Sequence, residues 1–474
     1  MRGESLGRMQ RYPSALVLAL LLGLGTATAG VPSTAAAAVP APTSSGASPD
    51  SSSDASSGAS TARIVEALNR SAHPLRTVEP WGDTGELRPL DRMIGAARVV
   101  GIGEATHSSH DFFALKSRIF RHLVEKKGFR TFALEASWST GLRLNDYVLH
   151  GTGDPGRIMS DEFQSDYLWW NNTDYLRLIE WMRAYNVRHP HDPVRFMGDD
   201  IGWTGPEVYD AVTRYVARTH PELNARFAEL YRGLRPTVAT GTYLKHYLDA
   251  PYAARKEMAD RTGRALRLLM RRSPGADRVA FDRAVQNARA IDRTARQYAF
   301  DFDDPAQLAA SMRYRDRAMA ANVVWWQQHT GTKMLLSAHN GHVAYQTADP
   351  AQYPRMQGAF LRDSFGPAYV NVGLTFDQGS FNATGADGAI HRRTIGPAGP
   401  GSNERTLDRV RHRNYAVDLR TVGSPARAWL AAARATRSIG TAYPAGPYDI
   451  ALGRSYDILI HLHHITAARL RGDT

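Results

Sequence analysis

The stretch Val99-Val-Gly-Ile-Gly-Glu-Ala-Thr-His107 decides the fold of this chain. An apolar, β-branched run passes through two glycines and at once presents a carboxylate, Glu104, and an imidazole, His107. A buried strand that closes on glycine and releases polar residues is how an α/β sheet delivers chemistry to its carboxyl edge.

Working outward, residues 109–127 place Phe112, Phe113, Leu115, Ile119, Leu123 and Val124 at helical spacing and stop at Gly128. Residues 129–134 form a second apolar strand that ends at Glu135. A strand, helix and strand of these lengths make a parallel crossover. A third strand, 194–198, runs into Asp199-Asp200, and a fourth, 334–338, into His339-Asn-Gly-His342. Helices are expected at 62–69, 88–97, 138–149, 173–185 and 305–329. If the four strands are parallel neighbours, Glu104, His107, Glu135, Asp199, Asp200, His339 and His342 share one crevice.

The expected class is therefore α/β: a central, mostly parallel sheet flanked by helices. Residues 206 to about 300 are rich in Arg and Ala and poor in strand signals, and read as a large helical insertion over the active-site cleft. The last part adds strands at 369–376, 415–419 and 456–461 and a helix at 425–435.

The N-terminus reads separately. Arg2, Arg8 and Arg11 precede an apolar run at 15–24, and Ala27-Thr28-Ala29 supplies small residues for cleavage, so 1–29 is expected to be a signal peptide. Its run is too short to span a bilayer, so no stable membrane insertion is expected after cleavage. Residues 30–62, nearly all Ala, Ser, Thr, Pro and Gly, read as a disordered linker. Residues 63–474 are the catalytic domain. The expected location is secreted or attached to the cell envelope.

The chain has no cysteine, which excludes disulfides, a thiol nucleophile and thiolate metal ligands. The net charge is +12, from 58 basic and 46 acidic residues. The densest basic cluster is Arg255, Lys256, Arg261, Arg264, Arg267, Arg271 and Arg272, which alternates with Ala, Leu and Met at helical spacing. It reads as a solvated helix face, and no nucleic-acid module accompanies it.

Histidines with carboxylates suit general acid–base hydrolysis or a metal site. The Gly-x-Ser-x-Gly run at Gly3–Gly7 lies in the expected signal segment and follows no strand, so it makes no nucleophile elbow, and no His-Glu-x-x-His helix is present. Water activated by His107, oriented by Glu104 or Glu135, needs neither. Plainer roles compete: His107 as a helix cap, Glu104 and Glu135 as partners of Lys116 or an arginine, and Asp199 and Asp200 as caps. His110 reads as a surface residue, and His461, His463 and His464 as edge or core. Trp325-Trp326 reads as core, and Trp169-Trp170 as either core or pocket wall.

Gly103-Glu-Ala-Thr-His107, Phe112-Phe-Ala-Leu-Lys116, the strand from Gly128-Phe129 to Glu135, Arg315-Asp316-x-x-Met319-Ala320 and His339-Asn-Gly-His342 together resemble the erythromycin esterase family, in order, over about residues 65–470. The resemblance implies an α/β fold with helical additions and a wide cleft. It implies hydrolysis of a carboxylic ester or macrolactone by water without a covalent intermediate. His107 matches the family's general base, and Glu104 and Glu135 match its motif glutamates. His339, His342 and Lys116 match groups that bind substrate or stabilise the oxyanion. Lys116 stands where macrolide-degrading members carry arginine, a departure that bears on the substrate. The expected protein is an exported hydrolase of a small ester or macrolide-like substrate, with a role in antibiotic resistance and no cofactor. The alternatives are a divalent-metal hydrolase using the same cluster and a non-catalytic cell-envelope binding protein.

Overall fold

The computed structural model describes residues 51–472. The expected signal segment and residues 30–50 of the expected linker lie outside this range. The linker expectation is corrected from Ser51, because a helix Ser51–Ser71 begins there. Its second half buries Ile64, Ala67 and Leu68 against the sheet end, which gives it a reason to be helical. Among the described residues no helix is long and apolar enough to cross a membrane.

The main sheet is built from β1 (His73–Pro74), β2 (Val99–Ile102), β3 (Phe129–Ser137), β4 (Arg195–Asp200), β5 (Lys333–Ser337), β6 (Tyr369–Thr384), β7 (Ile390–Ile395), β8 (Asn414–Asp418) and β11 (Ile458–Ile465). A separate ribbon pairs β9 (Arg434–Thr436) with β10 (Tyr448–Ile450). The strand order is β1-β8-β11-β6-β2-β5-β3-β4, and β7 pairs with β6. The run from β11 to β4 is parallel throughout, while β1, β8 and β7 join antiparallel. The four expected strands are thus parallel neighbours, with β5 inserted between β2 and β3. The chain reverses its direction of travel across the sheet around β2 and β5, which is where such sheets open a crevice.

Both faces of the sheet are covered, which is why its strands are continuously apolar. Val100, Phe132, Leu134 and Leu335 face a core shared with helices His110–Lys127 and Thr173–Arg188. Val99, Ala133, Met334 and Leu336 face a second core shared with helix Pro305–Thr330. Helix His110–Lys127 starts where Ser109 Oγ accepts from Phe112 N and ends at Gly128, whose φ of +71° needs no side chain.

The expected insertion is helical: Pro206–Thr219, Asn224–Leu230, Thr240–Asp249, Tyr252–Met270 and Arg278–Gln297. It packs into the second core and grips the segment leaving β4. There Thr294 Oγ1 donates to Ile201 O at 2.8 Å and Tyr298 OH to Gly202 O at 2.6 Å. The basic cluster is only partly a solvated face. Lys256, Arg264, Arg267, Arg271 and Arg272 are exposed, but Arg255 is buried and donates to Tyr298 O and Phe300 O.

Helix Trp138–His150 lies unusually close to β4. A Cβ on Gly141 would sit 1.9 Å from Gly198 N, and one on Gly198 would sit 2.1 Å from Ser137 O. Gly141→Ala is therefore expected to destabilise the fold by about 1–3 kcal/mol through overpacking, read as a lower melting temperature in calorimetry.

Candidate active site

Gly103 ends β2 in contact with the turn that follows β5. A Cβ there would lie 2.1 Å from Asn340 Oδ1, so only glycine fits. Asn340 fastens the two motifs: its N donates to Glu104 O at 2.9 Å, and its side chain bonds Leu374 N and O on β6. The glycines of the opening stretch thus set Glu104 and His107 against His339 and His342.

Glu104 is fully buried. Its Oε1 lies 2.9 Å from His107 Nδ1, and its Oε2 accepts from Lys116 Nζ. Lys116 also donates to Ser337 Oγ at 3.0 Å and Ala338 O at 3.2 Å, so its three ammonium protons are spent inside the protein. Burial pulls the lysine pKa down, and Glu104 opposes that. With a carboxylate on Nδ1, the neutral tautomer of His107 carries its hydrogen there and leaves the lone pair on Nε2. The ring stands edge-on to Trp170 at 4.8 Å and 5.0 Å from the ring of His339.

Glu135 organises the facing half. Its Oε2 accepts from His339 N at 2.8 Å, and its Oε1 lies 3.1 Å from Arg315 Nη2 and 3.2 Å from His342 Nε2. Burial alone would raise its pKa; His342, His107 and Arg315 overcome that and hold it well below the usual range. His342 Nδ1 lies 2.8 Å from Asp316 Oδ1. Against the effect of burial, Asp316 and Glu135 push the His342 pKa up to about 10. His342 is thus an imidazolium with both N–H groups committed to carboxylates. Arg315 Nη1 also lies 3.3 Å from His342 Nε2. Two donors do not bond each other, so Glu135, which both can reach, is the acceptor that matters.

Arg315 in turn clamps Asp200. Its Nε is 3.0 Å from Oδ1 and its Nη2 2.6 Å from Oδ2, and Tyr167 OH donates to the same Oδ2 at 2.9 Å. Asp199 accepts from Gln357 Nε2 at 2.6 Å, and burial, then Asp200, push its pKa well up.

His339 differs from these paired groups. Its Nδ1 accepts from Gly341 N at 3.1 Å, which places the hydrogen on Nε2. That buried Nε2 has no hydrogen-bond partner among the described residues. Burial, then the neighbouring His107, hold the ring well below the ordinary histidine pKa, so it is a neutral donor beside His107.

All six expected residues, Glu104, His107, Lys116, Glu135, His339 and His342, therefore converge. Three expectations change. Lys116 and His342 were expected to face substrate, but they spend their donors within the protein. Glu135 lies inside β3 instead of beyond its end, held there by Trp170 Nε1 donating to its carbonyl at 2.6 Å. The wide cleft is not what surrounds His107, which is 2 % exposed. The segment around Gly440 covers it, with Ile439 N on Ala105 O at 2.7 Å and His107 N on Gly440 O at 3.1 Å. A cavity of about 400 Å³ borders this cover at Ser438 and the histidine turn at Gly341.

Sequence reading undervalued Asp200 and gave Arg315 no role of its own. A signal for Arg315 existed, because Arg315 and Asp316 interrupt the buried stripe Met312, Met319, Val323 of their helix. Ser109, not His107, is the helix cap. His110 is half-buried between Asp174 at 2.9 Å and Glu79 at 3.0 Å, and the Asp174 hydrogen bond pushes its pKa up to about 9. Trp170 is both core and site wall, while Trp326 is core, as expected.

His342 and His110 make stability depend on pH. Each has a folded pKa above its ordinary value of 6.5, so its contribution is complete below about 6.5 and is lost as pH rises through about 9 to 10. The melting temperature is expected to fall across that window, and His342→Gln should flatten the dependence. A melting temperature constant from pH 7 to 10 would contradict the assignment.

Comparison with known proteins agrees with this architecture. The family model described as erythromycin esterase matches residues 124–465. Erythromycin esterase type II of Escherichia coli is 31% identical over 135 residues, 28% of this chain and 30% of that protein. A putative hydrolase, YbfO, of Bacillus subtilis is 26% identical over 155 residues, 33% of each chain. These matches span about a third of the relatives' length. A solved Bacillus cereus protein superposes with a TM-score of 0.79 at 28% identity, covering 87% of this chain and 99% of its own. A succinoglycan biosynthesis protein gives 0.77 at 28% identity with the same coverage. A mutant of the erythromycin esterase EreC in its open conformation gives 0.66 at 17%, covering 85% and 98%, a likeness of fold. This chain belongs to the erythromycin esterase family.

Proposed function

We propose that this protein hydrolyses a carboxylic ester or lactone with water activated by His107. The observation that carries the reading is the pairing of His107, held through Nδ1 by Glu104 at 2.9 Å, with His339 on a ring 5.0 Å away, whose Nε2–H has no hydrogen-bond partner among the described residues. A base and a donor side by side in a buried site suit addition of water to a carbonyl. His107 Nε2 takes one proton as the water oxygen bonds to the carbonyl carbon, and His339 donates to the oxyanion that forms. The proton then passes from His107 to the departing alkoxide as the C–O bond breaks. Glu104 stabilises the transient imidazolium; Glu135, His342 and Arg315 fix the turn that carries His339.

A divalent metal in the same cluster is the weaker reading, since Glu104 and Glu135 are already neutralised by Lys116 and Arg315. A non-catalytic envelope role draws its support from the succinoglycan-related neighbour. The signal-like residues 1–29 support a secreted or envelope location, where an antibiotic ester would be met. Lys116 does not decide between macrolide and other esters, because it is sealed behind Glu104.

The test is incubation of the purified protein with a macrolide and a panel of simple esters and lactones, followed by mass spectrometry. Gain of one water by any of them supports the reading. Folded protein inert across the whole panel overturns it.

A further inference from the structure

Two carboxylates and two imidazoles gathered beside the middle of β6 and the end of β11 take no part in the reaction above. β6 and β11 run parallel, with His461 opposite Thr375 and His464 opposite Gln378. Alternate residues share a face, so Thr375 and Asp377 lie on the same side as His461 and His463. Thr375 Oγ1 is indeed 3.0 Å from His461 Nδ1. Asp408, just beyond helix Asn403–Leu407, brings its Oδ1 to 2.7 Å from His463 Nδ1 and 3.3 Å from His461 Nε2. One ligand atom each from Asp377, Asp408 and His463 lie within 4.8 Å of one another.

Asp377 is 1 % exposed and its Oδ1 accepts from Ala398 N at 3.0 Å, and among the described residues neither aspartate forms an ion pair with a lysine or arginine. A third carboxyl group lies close by, and burial pushes its pKa up to about 7. Glu404 is fully buried, stands one helical turn before Asp408, and lies near enough to Asp377 for the two to repel. Its Oε1 accepts from Arg437 N, while its buried Oε2 has no hydrogen-bond partner among the described residues. Arg437 attracts both Glu404 and Asp377 and donates to the Asp377 carbonyl, but among the described residues it forms an ion pair with neither carboxyl group.

We propose that Asp377, Asp408 and His463, with His461 as the fourth ligand, bind one divalent cation of the zinc class. Two oxygens and two imidazole nitrogens suit zinc; calcium and magnesium take oxygen ligands. Tetrahedral bonds of about 2.0–2.1 Å put ligand atoms about 3.3 Å apart; His461 Nε2 stands at that distance from Asp408 Oδ1, and His463 Nδ1, now at a hydrogen-bond distance of 2.7 Å, opens when a cation replaces the shared proton. Thr375 is the outer partner that fixes the tautomer of His461, with Nδ1–H donating to its hydroxyl and Nε2 left for the metal. Gln378, 3.0 Å from His463 Nε2, does the same for His463 when its amide oxygen faces the ring. The cation ties β6, β11 and the segment after helix Asn403–Leu407 together, and it is independent of the ester chemistry.

The experiment strips the purified protein with chelator, dialyses it, and titrates it with zinc chloride in a calorimeter, with elemental analysis of the product. The expected result is one zinc per chain, retained in His107→Ala and lost in His463→Ala. Thr375→Val, which touches no ligand atom, should weaken binding about 10–100-fold and guards against misfolding of the ligand variant. No saturable uptake overturns the proposal. So does uptake that survives His463→Ala and Thr375→Val unchanged, or that His107→Ala abolishes.

Discussion

His107→Ala is expected to lower kcat for whichever ester proves to be the substrate by about 10²–10⁴-fold, the usual contribution of a positioned general base. The melting temperature should change little by comparison, because Glu104 keeps Lys116 as its partner when the imidazole is gone. His107→Gln is the useful companion, since its amide can still donate toward Glu104 Oε1 but cannot accept a proton at neutral pH. Activity of both variants within tenfold of the parent would place the base elsewhere. Equal losses in His107→Ala and His107→Gln, with melting temperatures preserved, would locate the defect in proton transfer and not in packing.

Arg315→Met should have the largest effect on stability, a loss of about 3–5 kcal/mol, because it leaves buried carboxylates without their cation. Asp200 loses the bidentate clamp, and Glu135 keeps only His342 and the His339 amide. Urea denaturation of the variant measures the cost directly. Arg315→Met with Asp200→Asn should cost clearly less than the sum of the two single changes, since the double variant removes the stranded charge as well as its partner. Strict additivity would show that Arg315 and Asp200 do not act as a pair.

The spread of roles around Glu135 explains why the site was only partly legible in the sequence. Glu104 and His107 were readable because a local motif carries them: three residues apart, directly after a glycine-closed strand, they bond to each other. Arg315 carries no such mark. It sits within a long helix, 180 positions from the Glu135 that it contacts, and its importance comes from burial that no spacing records. Lys116 illustrates the opposite error. A lysine in an active-site motif suggests a substrate contact, yet three internal acceptors close around it once β5 is in place.

Local chemistry by itself determined the four apolar strands, the crossover helix with its Ser109 and Gly128 ends, the helical character of 206–300 and, given parallel neighbours, the gathering of Glu104, His107, Glu135, His339 and His342; Lys116 joined that set only through the family resemblance. These follow from side-chain period, capping and the carboxyl-edge rule, all of which act over short stretches. Tertiary structure alone decided that β5 inserts between β2 and β3. It also decided that the segment around Gly440 seals His107, that Lys116 and His342 are internal supports, and that His339 Nε2 has no partner among the described residues. Each of these depends on which buried donor finds which acceptor across more than a hundred residues. The opening stretch supplies His107, and the fold selects the His339 ring that stands beside it.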